Sequence, residues 1–600
     1  LSFIRADLHE FRNFANVSPF DETRNADDPF VGGEPIEALL SRFRGLAILD
    51  GNGAAILGSG TAFANRKSSR LRRRHGGQMH QQSLDERPDS GRSHNGEALP
   101  SPTKEPEAQT MNMHAPKFLD TARWQGLAYI SEWQETMAGT LNVSDPSTGD
   151  VLATVGLCGP ADVAQAAKQA SAAQKSWAKT LPAERAAFLN RAADLLEQNG
   201  AELARWIMQE SGSIHPKAMI EIEHGALFIR HAASLATQPT GMFLPGMDDR
   251  TNYARRVPHG VVGVISPFNF PLVLSVRSIA AAIALGNTVV HKPDPRTPIS
   301  GGIIIARIFE EAGLPKGVLH VVPGGADAGE AICSDPNIAM VSFTGSARGG
   351  AKVGEVCGRH LKRVQLELGG KNALVILDDA DLDVAASNAA WGSFLHQGQI
   401  CMATGLILVD EKIAPGITER LVAKANHLPA GNPSTNQVAL GPIISDAQVE
   451  TIQRIVDDAV AKGAKLLAGG THDGRFYAAT VLSGVKPGML AFEEEIFGPV
   501  ACIVPFKTDE EAVELANRSD YGLAAGVISG NLGRAMAVGD ELNVGQLHIN
   551  DQTVNGGPYA PFGGRGKSGN GTRVGGPADI EEFTQWQWVS VKKAATPYPF

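Results

Sequence analysis

From residue 261 onward, short apolar runs rich in β-branched residues alternate with longer helical stretches. VVGVISP (261–267) reads as a buried strand and Pro271 to Leu285 as a helix. NTVVHKP (287–293) is the next strand, with Ile299 to Glu311 a helix. VLHVVPG (318–324) precedes a short helix from Ala326 to Cys333, and MVSFTGS (340–346) precedes one from Gly349 to His360. RVQLELGG and NALVIL add further strand. Runs without polar alternation are strands covered on both faces, and intervening helices make such strands parallel. The pattern predicts an α/β fold built on a doubly wound parallel sheet, whose ligands sit at the carboxyl ends of the strands.

The flanks carry other signals. Leu141 to Val155 reads as two strands joined by the turn DPSTGD, followed by helices over Asp162–Trp177 and Pro182–Leu196. Residues 240–258 look like a hairpin, and residues 581–593 like one more strand. Such stray strands suit subunits that pair by extending sheets. Up to about Thr110 the texture differs: scattered acids (Asp7, Glu10, Asp21, Glu22, Asp27, Asp28), then RKSSRLRRRHGG (66–77), then a Ser/Pro/His/Gln-rich stretch to Pro106. That segment reads as a basic nucleic-acid or targeting element, as a disordered extension, or as residues upstream of a start at Met111 or Met113. The last reading is adopted, because globular texture begins just after those methionines.

Six hundred residues exceed what one core needs. A formal net charge of −10 argues against a nucleic-acid surface. The five cysteines are odd in number and widely spaced, with no C-x-x-C, so neither a disulfide framework nor a zinc ribbon fits, and a reducing cytoplasm is expected. No apolar run reaches the ~18 residues of a membrane span. No H-E-x-x-H or other metal-ligand spacing occurs, so no metal is expected.

Several strand ends carry candidate chemistry. Phe343–Gly350 follows a strand and opens a helix, where free N–H groups suit a pyrophosphate or merely form a tight turn. Lys292 at a strand end can bond ribose hydroxyls or face solvent. Glu367 beside a glycine pair is a candidate general base or a structural acid. Asn269 in SPFNFPL offers an oxyanion donor or a turn residue. Cys401 in HQGQICMATG is a candidate nucleophile or a small core residue. GRGKSG (564–569) matches G-x-G-x-x-G but has no buried strand before it, so it reads as a glycine-rich active-site loop rather than a nucleotide site.

Together SPFNFPL, VVHKPDP, FTGS, LELGGKN, GQIC, EEEIFGPV and PFGG occur in the order seen in the NAD(P)-dependent aldehyde dehydrogenase superfamily, over roughly Trp124 to Phe600. HKPDPRTPISGG, GSFLHQGQICMATG, HINDQTVN and the terminal PYPF make the chain most similar to the benzaldehyde and vanillin dehydrogenase group. The resemblance implies Cys401 as nucleophile, Glu367 as general base and Asn269 as oxyanion donor. It implies a cofactor site of Lys292, Gly345, Ser346, Gly350, Leu368, Glu495 and Phe497. It also implies an apolar pocket of Phe270, Leu274, Ile400, Met402 and Phe562. Arg277 joins that pocket, either as a clamp for a substrate carboxylate or phenolate or, the preferred reading, paired with an acid at the rim. Glu367 argues against acyl transfer to coenzyme A, since relatives that do so generally lack an acid there.

NAD is the expected cofactor. Pro295 stands where many NAD-preferring members carry a glutamate, and Arg348 lies near the phosphate loop, so NADP remains open. The resemblance implies a dinucleotide-binding domain over 113–239 and 259–369 and a catalytic domain over 370–564. Oligomerisation elements are expected at 240–258 and 580–600, in a homodimer or homotetramer. The expected activity is oxidation of an aromatic aldehyde to its acid. The rivals are an enzyme for aliphatic aldehydes or succinic semialdehyde, and a silent relative, which would lack a nucleophile, base or oxyanion donor; all three are present.

Overall fold

A computed structural model describes residues 118–246 and 248–600, together with two short N-terminal hairpins, Phe30–Val31 with Glu34–Pro35 and Ile48–Leu49 with Ala55–Ile56. The readings made for residues 1–112 otherwise lie outside the described residues. Everything that follows concerns the compact unit that holds residues 116–600.

Two seven-stranded sheets and one three-stranded sheet organise it. In chain order the strands are β1 (Ala128–Ile130), β2 (Trp133–Gln134), β3 (Thr140–Ser144), β4 (Val151–Gly156), β5 (Gly241–Leu244), β6 (Thr251–Pro258), β7 (Val261–Ile265), β8 (Thr288–Lys292), β9 (Leu319–Val321), β10 (Ile338–Thr344) and β11 (Arg363–Glu367). Then come β12 (Asn372–Ile376), β13 (Thr404–Asp410), β14 (Lys465–Ala468), β15 (Thr480–Ser483), β16 (Val500–Phe506), β17 (Ala524–Ile528), β18 (Gln546–Ile549) and β19 (Thr584–Val591). The first large sheet runs β11-β10-β7-β8-β9-β1-β2. Its five strands from β11 to β9 are parallel, and β1 and β2 add antiparallel at one edge. The second runs β14-β15-β16-β13-β12-β17-β18, parallel except at β14.

The helices that matter for the site are α1 (Pro160–Trp177), α2 (Pro182–Gln198), α3 (Gly200–Ser211), α4 (His215–Leu235), α5 (Pro271–Ala284), α6 (Ile304–Glu311), α7 (Ala326–Ser334) and α8 (Ala347–Arg359). Every residue of α5 is buried, as its unbroken apolar run from Ile279 demands. The stretch expected as one helix over 299–311 begins instead with a π-helical turn, Ile299–Ile303. The Glu210 carboxylate at the end of α3 accepts from the Ile299 and Ser300 N–H groups at 2.7 and 2.6 Å. A Cβ at Gly302 would also lie 2.8 Å from Val321, so close packing and this cap shape the first turn.

The small sheet runs β19-β6-β5, with β6 paired antiparallel to both neighbours. The expected strand pair around DPSTGD is present as β3 and β4. Among the described residues no helix is long and apolar enough to cross a membrane.

Candidate active site

In the first sheet, β7 lies between β8 and β10, and the chain passes from one side of β7 to the other after β9. Such a reversal opens a crevice at the carboxyl ends of the strands. Four of those ends deliver side chains singled out in the sequence. β7 leads to Asn269, β8 ends on Lys292, β10 leads to Gly345 and Ser346, and β11 ends on Glu367 with Leu368 next. Gly369 and Gly370 then carry the chain into β12 of the second sheet, and the loop bearing Cys401 precedes β13. The cysteine thus comes from the amino edge of one sheet, and its partners from the carboxyl edge of the other.

Hydrogen bonds close this junction. The Asn372 amide donates to the Cys401 and Ala403 carbonyls, each at 2.9 Å. A Cβ on Gly370 would lie 2.6 Å from the Cys401 carbonyl, so only glycine permits that approach. Asn269 Nδ2 donates to the Gln399 carbonyl at 2.9 Å. Its amide carries two hydrogens, so one anchors the side chain and the second is available to a ligand.

The cysteine loop is strained. His396, Gln397 and Gly398 have φ of 49°, 55° and 66° in succession. A left-handed non-glycine residue costs roughly 1–3 kcal/mol and persists only where its surroundings over-determine it. Here they do. Gln397 Nε2 donates to the Pro442 carbonyl at 3.1 Å, and Gln399 Oε1 accepts from the Ile444 N–H at 3.0 Å. Thr553 Oγ1 bonds the Met402 carbonyl at 2.6 Å. Of the five cysteines, four are buried and Cys401 alone is partly exposed. A cysteine held on a strained loop with access to a ligand is not a core filler.

Electrostatics set the protonation states. Burial pushes the Glu367 carboxyl above the usual carboxylate range, and the Arg277 guanidinium, 3.0 Å away, opposes that rise. Burial pushes the Cys401 thiol well up, the Glu367 charge adds to this, and Arg277 opposes it. Glu367 Oε1 has no hydrogen-bond partner among the described residues, so one lone-pair face of a buried acid whose charge acts on the thiol is left open. A desolvated acid close to a thiol suits proton transfer.

Arg277 corrects one expectation. Its partner is not an acid at the pocket rim but Glu367 itself. Arg277 also donates to Thr344 Oγ1 at 2.9 Å. The reason is location: Arg277 sits in the fully buried helix α5, and an interior guanidinium must find an interior anion. Its Cζ also lies 5.2 Å from the centre of the Phe562 ring. Leu274, Ile400 and Phe562 are buried, whereas Phe270 and Met402 are half-buried; Phe562 and Met402 both approach Gly556.

The comparisons agree with this geometry. Residues 133–589 match the model of the aldehyde dehydrogenase family. The chain belongs to the aldehyde dehydrogenase family. It is 52% identical over 484 residues to a vanillin dehydrogenase of an Amycolatopsis species, covering 80% of this chain and 100% of that one. It is 49% identical to the NAD(+) benzaldehyde dehydrogenase of Pseudomonas putida, covering 80% and 98%. The crystal structure of a salicylaldehyde dehydrogenase from Pseudomonas putida G7, complexed with salicylaldehyde, superposes with a TM-score of 0.77 at 36% identity, covering 79% of this chain and 99% of that one.

The residues of this aldehyde dehydrogenase fit a dinucleotide. Lys292 Nζ spends two donors on the Pro293 and Gly324 carbonyls, at 3.0 and 3.1 Å, which leaves the third free. Ser346 caps α8, accepting from the Gly349 N–H at 3.2 Å, so a helix N-terminus faces the crevice beside Gly345 and Gly350. Glu495 accepts from the Gly370 N–H at 3.0 Å, and a Cβ on Gly369 would lie 2.2 Å from its carboxylate. Phe497 sits edge-on to Phe268, with ring centres 5.8 Å apart. The glycine-rich loop 564–569 braces the other side of the Glu367 strand: Leu368 N–H donates to the Ser568 carbonyl at 3.0 Å, and Gly569 bridges Glu367.

Sequence reasoning missed two site residues, Lys217 and Glu221 on α4. They form a fully buried pair that reaches Asn269. The available signal was their place on the apolar stripe of Ala218, Ile222, Ala226 and Ile229.

Proposed function

We propose that this aldehyde dehydrogenase oxidises an aromatic aldehyde to its carboxylic acid with NAD and water. The observation that carries the reading is the meeting of half-exposed Cys401, the under-partnered acid Glu367 and the free amide hydrogen of Asn269 at one crevice. Cys401 loses its proton to Glu367 and its sulfur bonds the carbonyl carbon. The Asn269 amide and the Cys401 N–H receive the resulting alkoxide, each donor worth about 3 kcal/mol. Bound NAD supplies the acceptor for the hydride that leaves this carbon. Glu367 releases the thiol proton to solvent and, ionised again, deprotonates the water that adds to the thioester, and Cys401 departs as thiolate. Lys292 and Glu495 would hold the two riboses, the α8 N-terminus with Gly345, Ser346 and Gly350 would hold the pyrophosphate, and Leu368 and Phe497 would contact the nicotinamide.

The aromatic substrate is supported by the relatives named for vanillin, benzaldehyde and salicylaldehyde, and by the lining of Phe270, Leu274, Ile400, Met402 and Phe562. A semialdehyde is disfavoured because the charge of Arg277 is already paired with Glu367, and a substrate carboxylate would have to compete with it. NAD is supported by the name of the Pseudomonas putida benzaldehyde relative. The same reading gives the first large sheet to the cofactor and the second to the cysteine. It also joins subunits through the small sheet, where Phe243 and Trp588 are 82% and 70% exposed.

The test is NADH or NADPH formation by the purified protein with benzaldehyde, vanillin, succinic semialdehyde and hexanal, each with NAD and with NADP, beside Cys401→Ala. Preferred turnover of benzaldehyde or vanillin with NAD, abolished in the variant, is expected. Preference for succinic semialdehyde overturns the aromatic assignment, and turnover by Cys401→Ala overturns the mechanism.

A further inference from the structure

The best-connected buried ion pair near the site touches neither candidate acid nor candidate nucleophile. Lys217 and Glu221, one helical turn apart on α4, are 1% and 0% exposed. The Lys217 ammonium lies 2.5 Å from Glu221 Oε1 and 2.6 Å from the main-chain carbonyl of Asn269. It also stands 4.2 Å above the centre of the Phe270 ring. The second carboxylate oxygen, Glu221 Oε2, accepts from the Leu272 and Val273 N–H groups at 3.0 and 3.4 Å, in the first turn of α5. One pair therefore ties together α4, the turn holding Asn269 and Phe270, and the helix that carries Leu274 and Arg277.

An apolar pair of the same volume often matches or exceeds a buried ion pair in stability. What an apolar pair cannot do is donate to the Asn269 carbonyl. That carbonyl lies in a turn between β7 and α5 with no regular ladder, where Phe270 takes φ −124° and ψ 68° ahead of Pro271. The Asn269 residue is gripped at two points: its carbonyl by Lys217 from α4, and its side-chain amide by Gln399 of the cysteine loop. Two anchors, one on the main chain and one on the side chain, restrict the direction of the remaining amide hydrogen.

We propose that Lys217, seated by Glu221, is a positioning residue that aims the Asn269 amide at the developing oxyanion. This rests on the reading of Asn269 as an oxyanion donor. Donors act in proportion to how well they are aimed before the reaction begins, and a misplacement of about 1 Å can cost on the order of 100-fold in rate. Lys217 is too deeply placed to meet substrate, so its effect must pass through Asn269.

A double-mutant cycle with benzaldehyde and NAD tests this. Asn269→Ala is expected to lower kcat on the order of 100- to 1,000-fold. Lys217→Met is expected to lower kcat on the order of 10- to 100-fold with little change in the KM for aldehyde. In the Asn269→Ala background, Lys217→Met should change kcat by less than about threefold, because residues acting through one group are non-additive. A general packing role would instead multiply the two losses, and that result overturns the proposal. Should Lys217→Met fail to fold, Lys217→Met/Glu221→Gln removes both charges and keeps an acceptor for α5, and the same cycle is run with it. Full kcat in that variant also overturns the proposal. Full activity in Asn269→Ala overturns the oxyanion reading first and this proposal with it, which separates the two failures.

Discussion

Two buried ion pairs hold the strand-end residues of the site, one at Asn269 and one at Glu367, and they are finished to different degrees. In Lys217–Glu221 both carboxylate oxygens have partners, one the ammonium and the other two main-chain N–H groups. In Arg277–Glu367 only Oε2 is bonded, while Glu367 Oε1 and Arg277 Nε are left without partners among the described residues. Both acids are pushed up by burial, and both are pulled back by their cation. An orphaned polar atom in a buried site costs free energy, and at Glu367 the open oxygen lies on the acid proposed as the base. The saturated pair holds geometry. In the proposed mechanism the unsaturated pair keeps one oxygen for a reacting proton.

The largest test of that contrast is Glu367→Gln, which keeps the shape and removes the base. Turnover should fall by about 100- to 10,000-fold, and the first equivalent of NADH should also form more slowly, because Glu367 takes the Cys401 proton before it activates the water. A steady state close to wild type would break the contrast. Glu221→Ala should act on the fold, lowering unfolding free energy by about 3–5 kcal/mol through the buried cation it leaves behind. Chemical denaturation measures this; a loss under about 1 kcal/mol would mean that the saturated pair is not structural.

Arg277→Leu is a gentler change with a defined sign. Glu367 works as a base only when ionised, burial raises its pKa, and Arg277 holds it down. Removing the guanidinium raises that pKa further, so the acid limb of the pH profile of kcat should move to higher pH. An acid limb that stays in place would show that Arg277 does not govern the base.

How far this was legible in the sequence follows the same division. Glu367, Asn269 and Lys292 were readable because each stands at or just past the end of a strand-like run, where a turn leaves the sheet, and Cys401 was readable in GQIC, in the loop that enters β13. The strand limits were read too long at those places: 261–267 against Val261–Ile265, and 287–293 against Thr288–Lys292. Ser266, Pro267 and Pro293 continue the apolar pattern but already belong to the turns that build the site. The edge strands β1 and β2 escaped notice because three and two residues are too few to show a period. The buried pairs were the harder case. Arg277 was noticed, yet its partner is 90 residues away, and no local pattern encodes that meeting. Lys217 and Glu221 look like an ordinary solvent-facing i,i+4 pair until their shared face with Ala218 and Ile222 is traced.

Glu495 supplies an intermediate case and the smallest expected effect. Burial pushes its carboxyl up to about 7, while the Gly370 N–H and Lys371 pull it down and Glu367 adds to the rise. It has one main-chain donor, fewer than Glu221, and no cation bonded to it. If it receives ribose hydroxyls, its charged form is the better acceptor. The KM for NAD should then fall by roughly two- to tenfold as pH rises through about 7, since a net hydrogen bond is worth about 0.5–1.5 kcal/mol. Glu495→Gln cannot ionise, so its KM should lose that pH dependence while the pH profile of kcat, governed by Glu367, stays put. A profile that moved with it would place Glu495 beside Glu367 as a proton carrier and remove the distinction between a carboxylate that binds and one that reacts.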